Sequence, residues 1–264
     1  MLAYHQGPRS LLLDLGTGHG IVPRQLSSSF RQIIGTDPSK GMIEQARKTT
    51  PKDQYPHISF RVAAAEDSAD VVDGSVDLVT AGQASHWFDY PRLFAQLHQS
   101  VRKGGTLAFW GYKDHVFVDY PKATEILNRY SYMQDKDMLG PYWPKGREIV
   151  QDKLRAVKPP GAEWEDIQRF EYEPGTKGSR SGQGTFFFSR RLTVGACMEY
   201  IRTWSSYHEW EAAHPGMRAR SRGGQGDVID SMFMEMAETD DVMGDMNREI
   251  EIEWGSALIL ARKT

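Results

Sequence analysis

The sequence predicts an α/β fold built on a mostly parallel sheet. Three observations carry that reading. The first 112 residues alternate strand-like and helix-like segments with little between them. The leading strand is a continuous apolar run, as strands covered on both faces are. It ends in a glycine cluster, "LLLDLGTGHG" (11–20), that leads straight into a helix pattern.

The elements follow in order. "SLLLDLG" (10–16) is the first strand, and "IVPRQLSSSF" (21–30) a short helix pattern. "RQIIGTD" (31–37) is the second strand, and "PSKGMIEQARKT" (38–49) a helix with Pro38 near its first turn. "HISFRVAA" (57–64) alternates as a third strand, and "SVDLVTAGQA" (75–84) is the fourth. "YPRLFAQLHQSVRKGG" (90–105) is a helix stopped by glycines, and "TLAFWGY" (106–112) is the fifth strand. Such alternation implies right-handed crossovers.

Beyond residue 112 the pattern loosens. Residues 122–134 and 147–157 read as helices, 165–173 as a strand, and 174–184 as a polar glycine-rich loop. Residues 193–213 read as one long helix, 218–227 as a loop, and 248–263 as a final strand or strand pair. This gives a core of 1–112, a mixed segment 113–247 holding a helical substrate-capping insertion, and closing strands in 248–264 that complete the sheet.

Composition narrows the function. Net charge is −3 and pI about 6.3, without the basic excess of a nucleic-acid binder, so the expected partner is a small molecule or a protein. One cysteine, Cys197, excludes a disulfide within the chain and fits a reducing compartment, so the expected location is the cytoplasm. The apolar stretches are strand-sized, so no membrane association is expected. "MFMEMAETDDVMGDM" (232–246) places Met232, Met236 and Met243 near one helical face. A soft-metal site is conceivable there, but an apolar face against the cap or the second copy of a homodimer is the better reading. No metal is expected.

The glycine loop carries the chemistry. Gly16, Gly18 and Gly20 let the backbone approach a ligand at the carboxyl edge of the first strand. A dinucleotide loop reads G-x-G-x-x-G, whereas here the spacing is G-x-G-x-G, with Ile21 where the third glycine would fall. Asp14 precedes the loop, and this combination suits a ligand bearing an ammonium and a carboxylate. Asp37 ends the second strand, where a carboxylate accepts from both hydroxyls of a ribose, of NAD or of an adenosyl ligand alike. Glu66 and Asp67 follow the third strand, placed to accept from an adenine amino group or to cap a helix.

"LLLDLGTGHG", Asp37, "AEDS" and "SVDLVTAGQASHWFD" together resemble the class I S-adenosylmethionine-dependent methyltransferases. The family's loop is close to (D/E)-x-G-x-G-x-G, matched by Asp14, Gly16, Gly18 and Gly20. The resemblance implies a Rossmann-like class I methyltransferase fold, with a seven-stranded, mostly parallel sheet in the order 3-2-1-4-5-7-6 and its last strand antiparallel. It implies S-adenosyl-L-methionine as cofactor. The glycines would lie against its methionine part, Asp37 would hold its ribose, and Asp67 or Glu66 would read its adenine. Thr17 and Gln83 complete the expected cofactor set.

"GQASHWFD" (82–89), "YWPKGRE" (142–148) and "RTWSSYHEW" (202–210) resemble a subgroup that includes fungal trans-aconitate methyltransferases. That subgroup includes enzymes that esterify small carboxylic acids, and many fungal members whose substrates are unknown or secondary metabolites. The implied reaction is O-methylation of a carboxylate on a small, acidic acceptor. O-, N- or C-methylation of a secondary metabolite stays open, as does a cofactor-binding protein without methyl transfer. His86 has three readings: a general base, a contact to a substrate carboxylate, or a structural partner of Trp87 over the cofactor. Arg147 and Arg202 are the candidate carboxylate clamps, with Tyr142, Trp143 and Trp204 as aromatic walls. Similar methyltransferases carry a helical lid segment ahead of the first strand. With about ten residues there, a more open pocket and weaker cofactor binding are expected.

Overall fold

The computed structural model describes residues 1–67 and 71–264, so Ser68 of the "AEDS" stretch lies outside the described residues. In chain order, β1 (Leu11–Leu15), α1 (Ile21–Gln25), β2 (Gln32–Asp37), α2 (Lys40–Thr49), β3 (Ile58–Val62), β4 (Val76–Gly82), α3 (Tyr90–Ser100) and β5 (Val101–Phe117) alternate. There follow α4 (Pro121–Tyr132), α5 (Arg147–Gln151), β6 (Trp164–Glu173), β7 (Gln183–Gly184) and β8 (Ser189–Thr193). The chain closes with α6 (Val194–Ile201), α7 (Ser205–Ala213), α8 (Val228–Thr239) and β9 (Glu249–Lys263).

The strand order is β3-β2-β1-β4-β5-β9-β6-β7, with β8 paired to β9. Counting β6 and β9 as the sixth and seventh strands of the expected sheet, the order 3-2-1-4-5-7-6 is present. The short strands β7 and β8 raise the count from seven to nine. β1 pairs in parallel with β2 and β4, β2 with β3, and β4 with β5. The β6–β7 and β8–β9 pairs are antiparallel.

Local chemistry explains where elements depart from their expected bounds. Pro38 stands ahead of α2, because Ser39 is the cap whose hydroxyl accepts from the Met42 N–H at 3.3 Å. The helix expected over 147–157 stops at Gln151, since Lys153 and Leu154 turn into the left-handed region at φ 53° and 59°. The long helix expected over 193–213 breaks into α6 and α7 at Trp204, which is extended (φ −67°, ψ 144°). β5 runs on to Phe117, past the expected end at residue 112.

The chain divides into two compact units, residues 1–112, 148–171 and 256–264 in the first and 113–147 and 172–255 in the second. Residues 148–171, which the sequence left within the mixed segment, therefore go with the first unit. Val150, Leu154, Val157 and Trp164 are buried in one apolar cluster with Leu13, Val79 and Phe109 of the first unit's strands. Burying side chains of that size removes about 1.5–3 kcal/mol each from exposure, which outweighs the polar character of the segment. Residues 248–255 go with the second unit, where β9 pairs with β8. In the second unit α4 and α8 pack together, and Met232, Met236 and Met243 are fully buried core rather than a face for a second copy.

Candidate active site

The glycine loop joins β1 to α1 in the first unit. All three glycines have positive φ: 63° at Gly16, 53° at Gly18 and 81° at Gly20. Their surroundings differ. A methyl group on Gly16 would overlap Ala84, and one on Gly20 would lie 2.7 Å from the Phe60 ring. At Gly18 nothing stands within 4 Å. Two of the glycines are thus required by protein neighbours, and Gly18 is the one whose open side a ligand can approach. Thr17, which the sequence placed among the cofactor contacts, is 8% exposed and faces inward against Gly35. Its backbone N–H donates to Thr36 O at 2.8 Å and fixes the loop on β2.

Two aspartates flank the loop. Asp37 Oδ2 accepts from the Gly18 N–H, and Oδ1 from the Ser39 N–H, both at 2.9 Å. Each oxygen keeps a second lone pair for a ribose hydroxyl. Asp14 is 1% exposed; its Oδ1 accepts from the Thr80 hydroxyl at 2.7 Å, and no hydrogen-bond donor reaches Oδ2. Burial raises the Asp14 pKa to about 7, against the Thr17 and Thr80 hydroxyls, with the Asp37 charge adding to the rise.

The segment after β4 sits against the loop through Ala84. Gln83 takes a left-handed backbone (φ 57°), and its side chain donates to Tyr112 O at 2.8 Å and accepts from Tyr112 N at 2.7 Å. Its amide ties the end of β4 to β5 rather than pointing at a cofactor. Glu66 Oε1 accepts from the Asp89 N–H at 2.7 Å, so Glu66 anchors the start of α3. Asp67, next to it, is exposed. His86 lies in a single 3-10 turn with its ring 5.0 Å from that of Trp87, and Trp87 is 58% exposed.

In the second unit three of the five expected acceptor residues converge. The Arg147 guanidinium lies over the Trp143 ring at 4.0 Å, and Trp143 meets Trp204 at 5.5 Å. Trp143 Nε1 donates to Ser131 O at 2.7 Å, which fixes the indole. Arg147 pairs with Asp114, which also accepts from the Tyr132 hydroxyl. Burial, then the Asp114 charge, pushes the Tyr132 hydroxyl well above its usual range. Tyr142 turns elsewhere: its hydroxyl donates to Lys136 O and its ring meets His214 at 5.9 Å.

Arg202 is not an available clamp. Its side chain is 1% exposed and bidentate on Asp227 at 2.8 and 2.9 Å, with Asp230 at 3.1 Å and Glu199 at 2.8 Å. Burial works against its charge, but the three carboxylates outweigh it. Asp227, 0% exposed, is held at about 2 because Arg202 and the Asp230 N–H overcome the cost of burial.

Sequence reasoning missed Asp114, Tyr132 and the ring cluster around His115. His115 is 1% exposed and meets Phe117, Tyr200, Trp204 and Trp254 at 5.0–6.0 Å. Burial lowers its pKa to about 3, so it is a neutral imidazole. Cys197 lies 3.8 Å from its Nε2, fully buried, its thiol pushed far up by burial. The available signal was "KDHVF" (113–117), whose alternation continues the strand. Among the described residues no group of three metal-ligating side chains converges, and no helix is long and apolar enough to cross a membrane.

The strand order, the positive-φ glycine loop and the carboxylates around it are those of class I S-adenosylmethionine-binding enzymes. Residues 13–109 match the methyltransferase domain family. The whole chain is 30% identical to the probable S-adenosylmethionine-dependent methyltransferase CRG1 of Saccharomyces cerevisiae, covering 89% of that protein. It is 25% identical to the methyltransferase pgmE of Aspergillus terreus over 95% of this chain and 82% of the other. Among solved structures, a putative type II methyltransferase from Anaeromyxobacter dehalogenans superposes with a TM-score of 0.68, covering 99% of this chain and 93% of that one at 24% identity. The chain belongs to the S-adenosylmethionine-dependent methyltransferases, and S-adenosylmethionine is its cofactor.

Proposed function

We propose that the acceptor is a small carboxylic acid and that the product is its methyl ester. Arg147 carries this reading: a guanidinium over the Trp143 ring and paired with Asp114, on a side chain 16% exposed. Such a fork recognises a carboxylate along one edge. Bound S-adenosylmethionine supplies a methyl group on a positively charged sulfur. Asp37 holds the ribose, Asp67 the adenine amino group, and the open backbone at Gly18 receives the methionine part. A carboxylate is ionised at neutral pH, so no base has to remove a proton, and placement is what the side chains must provide. His86 is then not required as a base. The net charge and the lone buried cysteine support a cytoplasmic enzyme acting on small molecules rather than on nucleic acid.

A second reading, methylation of a phenol, is favoured by the rings of Trp143, Tyr200, Trp204 and Trp254, which suit a flat acceptor. There His86 would be the base. The test is S-adenosylhomocysteine release over a panel of small acids, their amides and matched phenols. Acids turn over and amides do not; turnover confined to phenols or amines sinks the ester reading. Arg147→Gln raises KM for acids about tenfold or more while cofactor affinity holds. Asp37→Ala weakens S-adenosylhomocysteine binding by about 10–100-fold in calorimetry, and unchanged binding would remove Asp37 from the site.

A further inference from the structure

A cavity of about 500 Å³ lies wholly within the second unit, between α6, α8 and the turns at 220–222 and 241–244. Of the residues read from the sequence as cofactor or acceptor contacts, only Arg202, which its three carboxylates rule out as a clamp, lines it. Its body is apolar: Met198, Phe233 and Met243 are at most 6% exposed and form the floor. Met234 and Met246, 52% and 43% exposed, form flexible lips. That size falls within the range of small-molecule pockets.

The charges on the wall are unequal. Asp230 and Glu199 both bind Arg202, Glu199 also accepts from Ser221 and pairs with Arg222 at 3.6 Å, and Asp230 accepts from two backbone N–H groups. These acids are fully matched. Arg220 is not: its Nε donates to Gln225 O at 3.2 Å, but among the described residues both terminal nitrogens meet only the Met234 thioether, at 3.5 and 3.6 Å. A thioether is a weak acceptor. Arg220 is thus a cation at the mouth of an apolar cavity, with no carboxylate among the described residues within ion-pair distance.

We propose that this cavity binds a medium-chain carboxylic acid, its chain among the methionines and Phe233 and its carboxylate on Arg220. The buried tie from Arg202 to Asp227 and Asp230 links α6 to the start of α8 and holds the walls in place. This gives Arg202 a role that the sequence reading did not foresee, in positioning a second binding site.

The test is calorimetric titration of decanoate, below its micelle concentration, into the full chain saturated with S-adenosylhomocysteine. Decanoate binds one per chain; decanol binds at least about tenfold more weakly, and Arg220→Gln costs decanoate a similar factor. Ala237→Trp fills the cavity and abolishes binding, whereas Arg147→Gln leaves it unchanged. Arg220 is exposed, so that variant informs even if Ala237→Trp does not fold. Equal decanoate affinity in Arg220→Gln and the parent overturns the proposal. So does loss in Arg147→Gln with retention in Arg220→Gln, which would move the acid to the acceptor site. A self-association broken by Arg220→Gln, with no decanoate bound by the parent, would give the face to a second copy instead.

Discussion

The glycine loop of the first unit and the arginine clusters of the second are ordered with different material. The loop is shaped by backbone: three left-handed glycines, N–H groups tied to Thr36 and Asp37, and one open side at Gly18. The second unit builds with side chains: Arg202 among three acids, and Arg147 between Asp114 and Trp143. Backbone geometry is dictated by residue type at fixed spacing. A charged side chain's role depends on which partner the fold delivers.

That contrast can be broken most sharply at Arg202. Arg202→Ala strands a fully buried Asp227 carboxylate and is expected to cost about 3–5 kcal/mol in urea unfolding. A loss below about 1 kcal/mol would show that the cluster is not what holds α6 to α8. The next test lies under the loop. With a folded-state pKa of about 7 against an ordinary 3.8, Asp14 keeps its proton longer when folded. Its contribution to stability is therefore full below about pH 4 and is lost as pH rises through 7. Asp14→Asn removes that loss, so variant minus parent stability grows from pH 4 to 7 and then levels, by on the order of 2–4 kcal/mol without cofactor. A difference that stays flat with pH would place the Asp14 titration elsewhere.

The smallest effect separates the glycines. Gly16→Ala must push aside Ala84 as well as adopt positive φ, and is expected to cost about 2–3 kcal/mol. Gly18→Ala bears only the backbone strain, about 1–2 kcal/mol. Its extra methyl stands where a ligand approaches, so it loses S-adenosylhomocysteine affinity out of proportion to its thermal shift. Equal losses of affinity per unit of stability in the two variants would erase the distinction between packing and ligand glycines.

The first five strands and the glycine loop were legible because apolar runs and glycine spacing report directly on backbone, and the strand order followed from the family resemblance. The assignment of 148–171 was not, because its apolar residues are separated by charged ones and only the fold shows Trp164 and Val157 meeting the sheet. Arg147 and Arg202 looked equivalent in sequence, each beside a tryptophan. Only long-range partners, Asp114 in one case and Asp227 in the other, tell them apart. Gln83 and Glu66 were read as ligand contacts for the same reason: a polar side chain at a loop does not announce whether it faces a ligand or a neighbouring backbone.

Cys197, fully buried beside His115, makes the chain a natural single-label protein. A thiol reagent finds no target while α6 is packed, so a cysteine introduced at Trp87 would take a fluorophore alone. The same silence makes native Cys197 a clock: its slow uptake of reagent reports how often α6 opens, and comparing that rate with and without decanoate or S-adenosylhomocysteine would reveal which ligand steadies the helix.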